Sequence, residues 1–265
     1  MGADPPQEIV IEESKPAPIP PSKPKQPVKS KSRSRAAISE QVTMVIVNFK
    51  TKQLLRRAYR SFRKFYPNVR VIIVDNGSMD ASRELVKEVG ARPHNSFILF
   101  NKNIGHGPAM HRAIQKVETP YVFTLDTDTE TLKGGFLEAM VKQMKGDNKL
   151  YALGWRRWVD RTSGVPREWH TENPPSRKFV SYVHPSAALY RMSMYHTLQP
   201  FFHHGAPCLS NMVRAEKRGL KTLPFPIRDY VKHLKAGTRR MYGGRWDPTS
   251  KTPKGKWREK DQYPI

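Results

Sequence analysis

A chain of 265 residues and 30.5 kDa has room for one large domain or two small ones. Its 47 Lys and Arg against 23 Asp and Glu leave a formal net charge of +24, which favours anionic partners and by itself specifies no chemistry. The single cysteine, Cys208, excludes an intrachain disulfide framework, and no apolar run approaches the roughly 18 residues of a membrane span.

The N-terminus "MGADPPQEIVIEES" carries acids where a secretory signal would carry basic residues. The expectation is a cytoplasmic protein without a transmembrane segment, with peripheral membrane contact left open. Residues 1–40 hold eight of the 23 prolines among Lys, Ser and Arg, and lack the apolar periodicity that offsets the entropy of ordering. They read as a disordered tail. That tail has a net charge of only +2, so the basic character belongs to the folded part.

From Val42 the pattern alternates. "VTMVIVNF" reads as a strand, and "TKQLLRRAYRSFRKFY" as a helix with Leu54, Leu55, Ala58, Tyr59, Phe62, Phe65 and Tyr66 at helical spacing. "VRVIIVDNGS" is a second strand and "MDASRELVKEVG" a second helix, with Gly90 at its expected C′ stop. "SFILFN", "GPAMHRAIQKVE", "YVFTLD", "GGFLEAMVKQM" and "KLYALGWRRWVD" continue the alternation, with Pro108 in a first helical turn. Near-continuous apolar strands separated by helices predict a mostly parallel sheet covered on both faces, an α/β Rossmann-like fold. Past residue 160 the pattern weakens into a loop, a helix "NMVRAEKRG" ended by Gly219, an irregular strand "LKTLPFPIRDYVKHL" and a basic, aromatic segment from Gly237.

The strand ends carry the chemistry, because ligands of parallel α/β sheets bind beyond the carboxyl ends of the strands. Those ends are Asn48, then Asp75-Asn76-Gly77-Ser78, then Asn101 to His106, then Asp126-Thr127-Asp128. Four consecutive polar ends make one rim; ordinary turn and cap chemistry is the competing reading of each alone. Asp126 and Asp128 match a hard cation, Mg²⁺ or Mn²⁺, bridging a diphosphate. The alternative is that one of them caps a helix beginning near Leu132.

In this order, "VIVNFKT", "VIIVDNGSMDAS", "NKNIGHGPAMHRAI", "YVFTLDTDTE" and "YVKHLKAGT" resemble the motifs of family 2 glycosyltransferases with the GT-A fold. The resemblance covers residues 42–135 closely and the remainder through one shorter motif. It implies a nucleoside diphosphate sugar donor (UDP-, GDP- or dTDP-linked), Mn²⁺ or Mg²⁺, and transfer to a hydroxyl acceptor with inversion. It divides the domain, 41–236, into a nucleotide-sugar-binding half (41–135) and an acceptor half (136–236), followed by a basic extension (237–265). By position, Asn48, Asp75, Asn76, Asn103, Gly105, His106 and Asp126 would meet the donor. Asp126, Asp128 and His233 would hold the metal, with Arg239 and Arg240 available for phosphate contacts.

The acceptor half departs from the family pattern. An acidic general base is expected just before "LSNMVRAEKRG", where this chain has "FFHHGAPC". The first reading takes His203 or His204 as the base. An acid of the preceding loop (Asp160, Glu168 or Glu172) is the second reading, and loss of activity with retention of binding the third. The segment "HPSAALYRMSMY" and the tryptophans Trp155, Trp158 and Trp169 fall where acceptor contacts would lie, core or lid residues being the other reading of the tryptophans. The helix with Arg56, Arg57, Arg60, Arg63 and Lys64 opposite its apolar stripe suits a solvated basic face or an anionic surface. The acceptor stays unidentified, an anionic one being favoured by charge. The alternative to an enzyme is a GT-A-like module binding nucleic acid or an assembly partner. A nucleotidyltransferase would carry a Gly- and Arg-rich loop after the first strand, which "NFKTKQLL" lacks.

Overall fold

The computed structural model describes residues 37–160, 166–167, 179–202 and 207–234. Residues 1–36 of the expected tail, the extension 237–265, His203, His204, Glu168, Glu172, Trp169, Arg239 and Arg240 lie outside the described residues, as does the Asp160 side chain.

The elements run α1 (Ile38–Gln41), β1 (Val42–Asn48), α2 (Lys52–Phe65), β2 (Arg70–Asp75), α3 (Ala81–Gly90) and β3 (Asn95–Leu99). Then come α4 (His106–Ile114), β4 (Tyr121–Asp126), β5 (Thr129–Thr131), α5 (Phe136–Gly146) and β6 (Leu150–Asp160). The last third holds β7 (Pro166–Arg167), β8 (Phe179–Arg191), α6 (Met192–Tyr195), α7 (Leu209–Lys217), β9 (Lys221–Pro224), a 3₁₀ turn (Ile227–Asp229) and β10 (Val231–His233). Among the described residues no helix is long and apolar enough to cross a membrane.

Strands order β3-β2-β1-β4-β8-β6-β7, with β9 on β6. The pairs β3–β2, β2–β1 and β1–β4 are parallel, as expected. Between β4 and β6 the fold inserts the 13-residue β8, antiparallel to both neighbours. The sequence pattern predicts no strand there. Every residue of β1 is buried because helices cover both faces. Met44 and Ile46 join Leu55 and Phe62 of α2, Leu85 of α3 and Met140 of α5 in one core. Val45 and Val47 join Met110 of α4 and Met212 of α7 in the other. Side chains alternate across a strand, so the apolar run of residues 44–47 in β1 feeds two layers at once.

Several local expectations change. Ile38–Gln41 forms a short helix ahead of β1, and partly buried Ile38 packs on the core. Gly90 is the last residue of α3 rather than a C′ stop; a Cβ there would sit 2.4 Å from a Phe97 ring carbon, so its smallness serves packing. Helix α4 ends at Ile114, short of the expected span. Arg63 is no part of a solvated face. Its guanidinium donates to the carbonyls of Tyr66 (3.0 Å) and Pro67 (2.9 Å) and to Asn95, tying the C-terminal end of α2 to the approach of β2. Arg57, Arg60 and Lys64 remain exposed. Cys208 is buried, its thiol donating to the Val183 carbonyl at 3.3 Å.

Candidate metal and nucleotide site

The parallel register sets the site. Asn48 pairs with Asp75 and Val47 with Asp126, so three polar strand ends lie side by side at one edge of the sheet. Beyond that edge the chain turns at Thr127 and Asp128 and enters β5, which pairs antiparallel with β10; Thr129 faces His233. The Leu234 amide donates to the Asp128 carbonyl at 2.7 Å, and Thr129 Oγ1 to the Asp126 carbonyl at 2.7 Å. These bonds bring a histidine from more than a hundred residues downstream onto the two aspartates. No helix begins near Leu132: α5 starts at Phe136 with Gly135 as its N-cap, so neither acid is a helix cap.

Asp126, Asp128 and His233 each offer a ligand atom, all within 4.8 Å of one another. His233 Nε2 stands 3.5 Å from Asp128 Oδ1, and His106 Nε2 stands 3.5 Å from Asp126 Oδ1. Asp126 Oδ1 is buried, with His106 Nε2 the ring nitrogen it faces. A cation holding its ligands at about 2.1 Å spans pairs up to about 4.2 Å apart. The His233–Asp128 separation falls within that span, and two carboxylates with one imidazole form a donor set that Mn²⁺ and Mg²⁺ accept. The residues fit such a cation. Burial alone would raise the Asp126 carboxyl, but the contact with His106 and the nearby His184 and His233 outweigh it and hold it below the usual range.

Asn48 and Asp75 sit differently from the metal cluster. Both are 0% exposed. Asn48 Nδ2 donates to Asp75 Oδ1 (3.1 Å) and to the hydroxyls of Ser78 and Ser82, while its Oδ1 accepts from the Thr51 hydroxyl (2.8 Å) and amide. Asp75 Oδ2 accepts from the Ser78 amide (3.0 Å) and from Arg83 (3.2 Å). Burial raises the Asp75 carboxyl, and these partners offset only part of the rise. The pair therefore fixes the two loops above it from below. Asn76 donates to Asn103 (2.9 Å) and accepts from the Ile104 amide (3.0 Å), latching the β2 and β3 loops together. Gly77, at φ +81°, makes that approach possible: a Cβ would lie 2.3 Å from the Lys102 carbonyl carbon. Asn103, Gly105 and His106 are half-buried at the start of α4, beside Asp126.

His184 is the site residue that sequence reasoning missed. It lies on β8, and Thr124 Oγ1 of β4 donates to the carbonyl of adjacent Pro185 at 2.6 Å. Its ring meets His233 edge-on at 6.5 Å and Trp155 at 5.6 Å. The Ser186 amide donates to His184 Nδ1 at 3.2 Å, which places the neutral ring's proton on Nε2. Burial pushes its pKa down to about 4, with Asp126 opposing and Arg157 adding. The available signal was the polar "HPS" that opens an apolar run, "AALY". Trp158 is buried, whereas Trp155 is half-buried next to His184.

A doubly wound sheet with a cation cluster and latched loops at its carboxyl edge is the class of fold that holds a phosphate-bearing ligand across that edge. The family described as "Glycosyl transferase family 2" matches residues 43–242, about three quarters of the chain, and the chain belongs to that family. Among similar proteins, an undecaprenyl-phosphate 4-deoxy-4-formamido-L-arabinose transferase of Pseudomonas savastanoi is 25% identical over 145 residues, 47% of this chain and 43% of that protein. The glycosyltransferase GlyA of Streptococcus pneumoniae is 23% identical over 108 residues, 40% of this chain and 15% of that protein. The chain thus spans less than half the length of either relative. Two solved structures share the fold. The mannosyltransferase PcManGT of Pyrobaculum calidifontis, in complex with GDP-Man and Mn²⁺, gives a TM-score of 0.54 at 14% identity, over 70% of this chain and 54% of that one. S. aureus TarS 1–349 gives 0.54 at 15%, over 72% and 59%.

Proposed function

We propose that this chain is a metal-dependent glycosyltransferase that moves a sugar from a nucleoside diphosphate sugar to a hydroxyl acceptor with inversion. The observation that carries the reading is the Asp126, Asp128 and His233 cluster, assembled where β10 closes on β5 at the carboxyl edge of β4. Family membership and the GDP-Man and Mn²⁺ present in a structure of the same fold support it.

Asp126, Asp128 and His233 would hold the cation, which would supply positive charge beside the departing diphosphate. The latched loops around Asn76, Asn103 and Gly105 receive the nucleoside, and Asn48 and Asp75 position those loops rather than touch the ligand. Inversion follows from a single displacement: the acceptor oxygen bonds to the anomeric carbon as its bond to the diphosphate breaks. The acceptor proton passes to a general base. His204 is the proposed base, on a segment whose flanks are joined by a 3.0 Å hydrogen bond from the Phe202 amide to the Pro207 carbonyl.

The test is nucleotide release from a panel of UDP-, GDP- and dTDP-sugars, with Mn²⁺ and with chelator. Release from at least one donor that chelator abolishes, and that Asp128→Ala loses, is the expected outcome. Release indifferent to both chelator and Asp128→Ala would sink the metal-dependent reading. His204→Ala is expected to lose transfer while keeping donor binding.

A further inference from the structure

A bulge in β8 brings one more polar group to the edge that carries the aspartates. Gly154 of β6 pairs with Ala188 and Arg156 with Val183, so Trp155 alone faces residues 184–187 of β8. Bulges of this kind re-aim side chains and recur beside active sites. Gly154 permits the close approach: a Cβ there would lie 2.6 Å from Val183 Cγ1 and 2.9 Å from the Ala187 carbonyl oxygen. Thr124 Oγ1 of β4 secures the other side, donating to the Pro185 carbonyl at 2.6 Å. Pairing of β8 with β4 ends where Ala187 meets Leu125, and the two strands are antiparallel. His184 therefore lies past the carboxyl end of β4, on the side where Asp126 and Asp128 leave it.

The His184 ring is fixed at one nitrogen and open at the other. Ser186 donates to Nδ1 from its hydroxyl at 2.8 Å and from its amide at 3.2 Å. Nδ1 is thus an acceptor, and the proton sits on Nε2, the ring nitrogen farther from the backbone. Among the described residues nothing accepts from Nε2. The ring's neighbours are aromatic: Trp155 at 5.6 Å, Tyr182 at 6.1 Å and His233, edge-on, at 6.5 Å. His184 is half-buried and not sealed, so its N–H is an oriented donor within reach of a ligand. A donor already held in one direction loses little freedom on meeting its acceptor.

Strand order points to what that acceptor is. Neighbouring strands lie about 4.8 Å apart, and the edge runs β2, β1, β4, β8. On the proposed reading, the latched loops above β2 and β1 receive the nucleoside, and the cluster at β4 meets the diphosphate. A nucleoside diphosphate sugar laid across the edge in that direction carries its sugar to β8, one strand beyond the diphosphate.

We infer that the Nε2–H of His184 donates to an oxygen of the transferred sugar and so helps to select that sugar. This rests on the proposed glycosyl transfer. It makes His184 a specificity-determining residue of the donor site, one that moves no proton.

The experiment uses the full chain with Mg²⁺ and no acceptor. Calorimetry compares each UDP-, GDP- and dTDP-sugar of the panel with the matching free UDP, GDP or dTDP. In His184→Asn the side-chain oxygen still accepts from the Ser186 amide, but no donor extends to the Nε2 position. In His184→Gln an N–H reaches it. His184→Asn is expected to weaken the best-bound nucleotide sugar about fivefold to tenfold, the loss of one neutral hydrogen bond, and the free diphosphate less than about twofold. His184→Gln is expected to hold both within about threefold of the parent. Equal weakening of sugar and free diphosphate in His184→Asn, or no weakening of either, overturns the inference and leaves the glycosyl-transfer reading standing. Nitrogen magnetic resonance of the ¹⁵N-histidine-labelled parent needs no variant to fold. A protonated His184 Nε2 that shifts with the nucleotide sugar and not with the free diphosphate is expected there, and an Nε2 blind to the sugar overturns the inference. If neither nucleotide sugars nor free diphosphates bind, the glycosyl-transfer reading fails and the inference fails with it.

Discussion

Replacing Asn48 with alanine isolates the role of the buried network beneath the site. The side chain is 0% exposed and its amide bridges three segments. Its removal leaves Asp75 Oδ1 without its donor, and the Thr51 amide without an acceptor. Thr51 Oγ1 keeps its 3.2 Å contact with Thr127. Each buried group left unpaired costs about 1–3 kcal/mol, and neighbouring losses are not additive. The expected destabilisation is about 3–5 kcal/mol, a large share of a typical domain's 5–15 kcal/mol. Loss of the Asn48 donor also drives the Asp75 carboxyl further up, since that bond is one of the partners lowering it. Urea unfolding measures the first effect as a lower midpoint at unchanged slope. Nucleotide titration measures the consequence for the site, as weaker binding once the Ser78 turn loses its anchor. A variant within about 1 kcal/mol of the parent would refute the assignment of Asn48 as a structural clamp.

Gly77→Ala is expected to cost about 2–4 kcal/mol, from a left-handed backbone plus overlap with the Lys102 backbone. Calorimetric melting with a nucleotide titration would show both the loss and the opened latch. Arg63→Ala is expected to destabilise by about 1–3 kcal/mol, because it strips charged donors from the part-buried Tyr66 carbonyl and Asn95 side chain. Exposed Arg57→Ala and Arg60→Ala stay within about 0.5 kcal/mol in the same urea assay. In metal-free protein, His184 has a folded value near 4 against an ordinary 6.5. The unfolded chain therefore takes up the proton first, and stability held above pH 6.5 is lost as pH falls toward the folded value. Between pH 7 and 5 the loss is up to about 2 kcal/mol, and His184→Asn is expected to flatten the urea-derived stability profile there.

Much of the first half was legible because its signals are local. β1 through β4 announce themselves as apolar runs, and parallel pairing puts their polar ends on one edge whatever the exact register. The carboxylate pair stood out because Asp126 and Asp128 follow such a run. The rest depended on long-range pairing. β8 was hidden because "HPSAALY" is short, broken by Pro185, and takes its place only by pairing antiparallel to β4 and β6. His184 was hidden with it. Asn48 and Asp75 were recognisable as strand ends, but that their side chains bond each other below the edge is decided by the register of β1 on β2. Arg63 reads as surface charge until the chain beyond α2 turns back and offers it carbonyls.

Asp126, Asp128 and His233 are proposed to bind one divalent cation together. Pulsed electron paramagnetic resonance of the protein with Mn²⁺ and a nucleoside diphosphate tests this directly, because an imidazole ligand couples its nitrogen to the metal spin. A nitrogen coupling present in the parent and absent in His233→Ala is the result expected. Bound Mn²⁺ without nitrogen coupling, or with coupling that persists in His233→Ala, would contradict the claim.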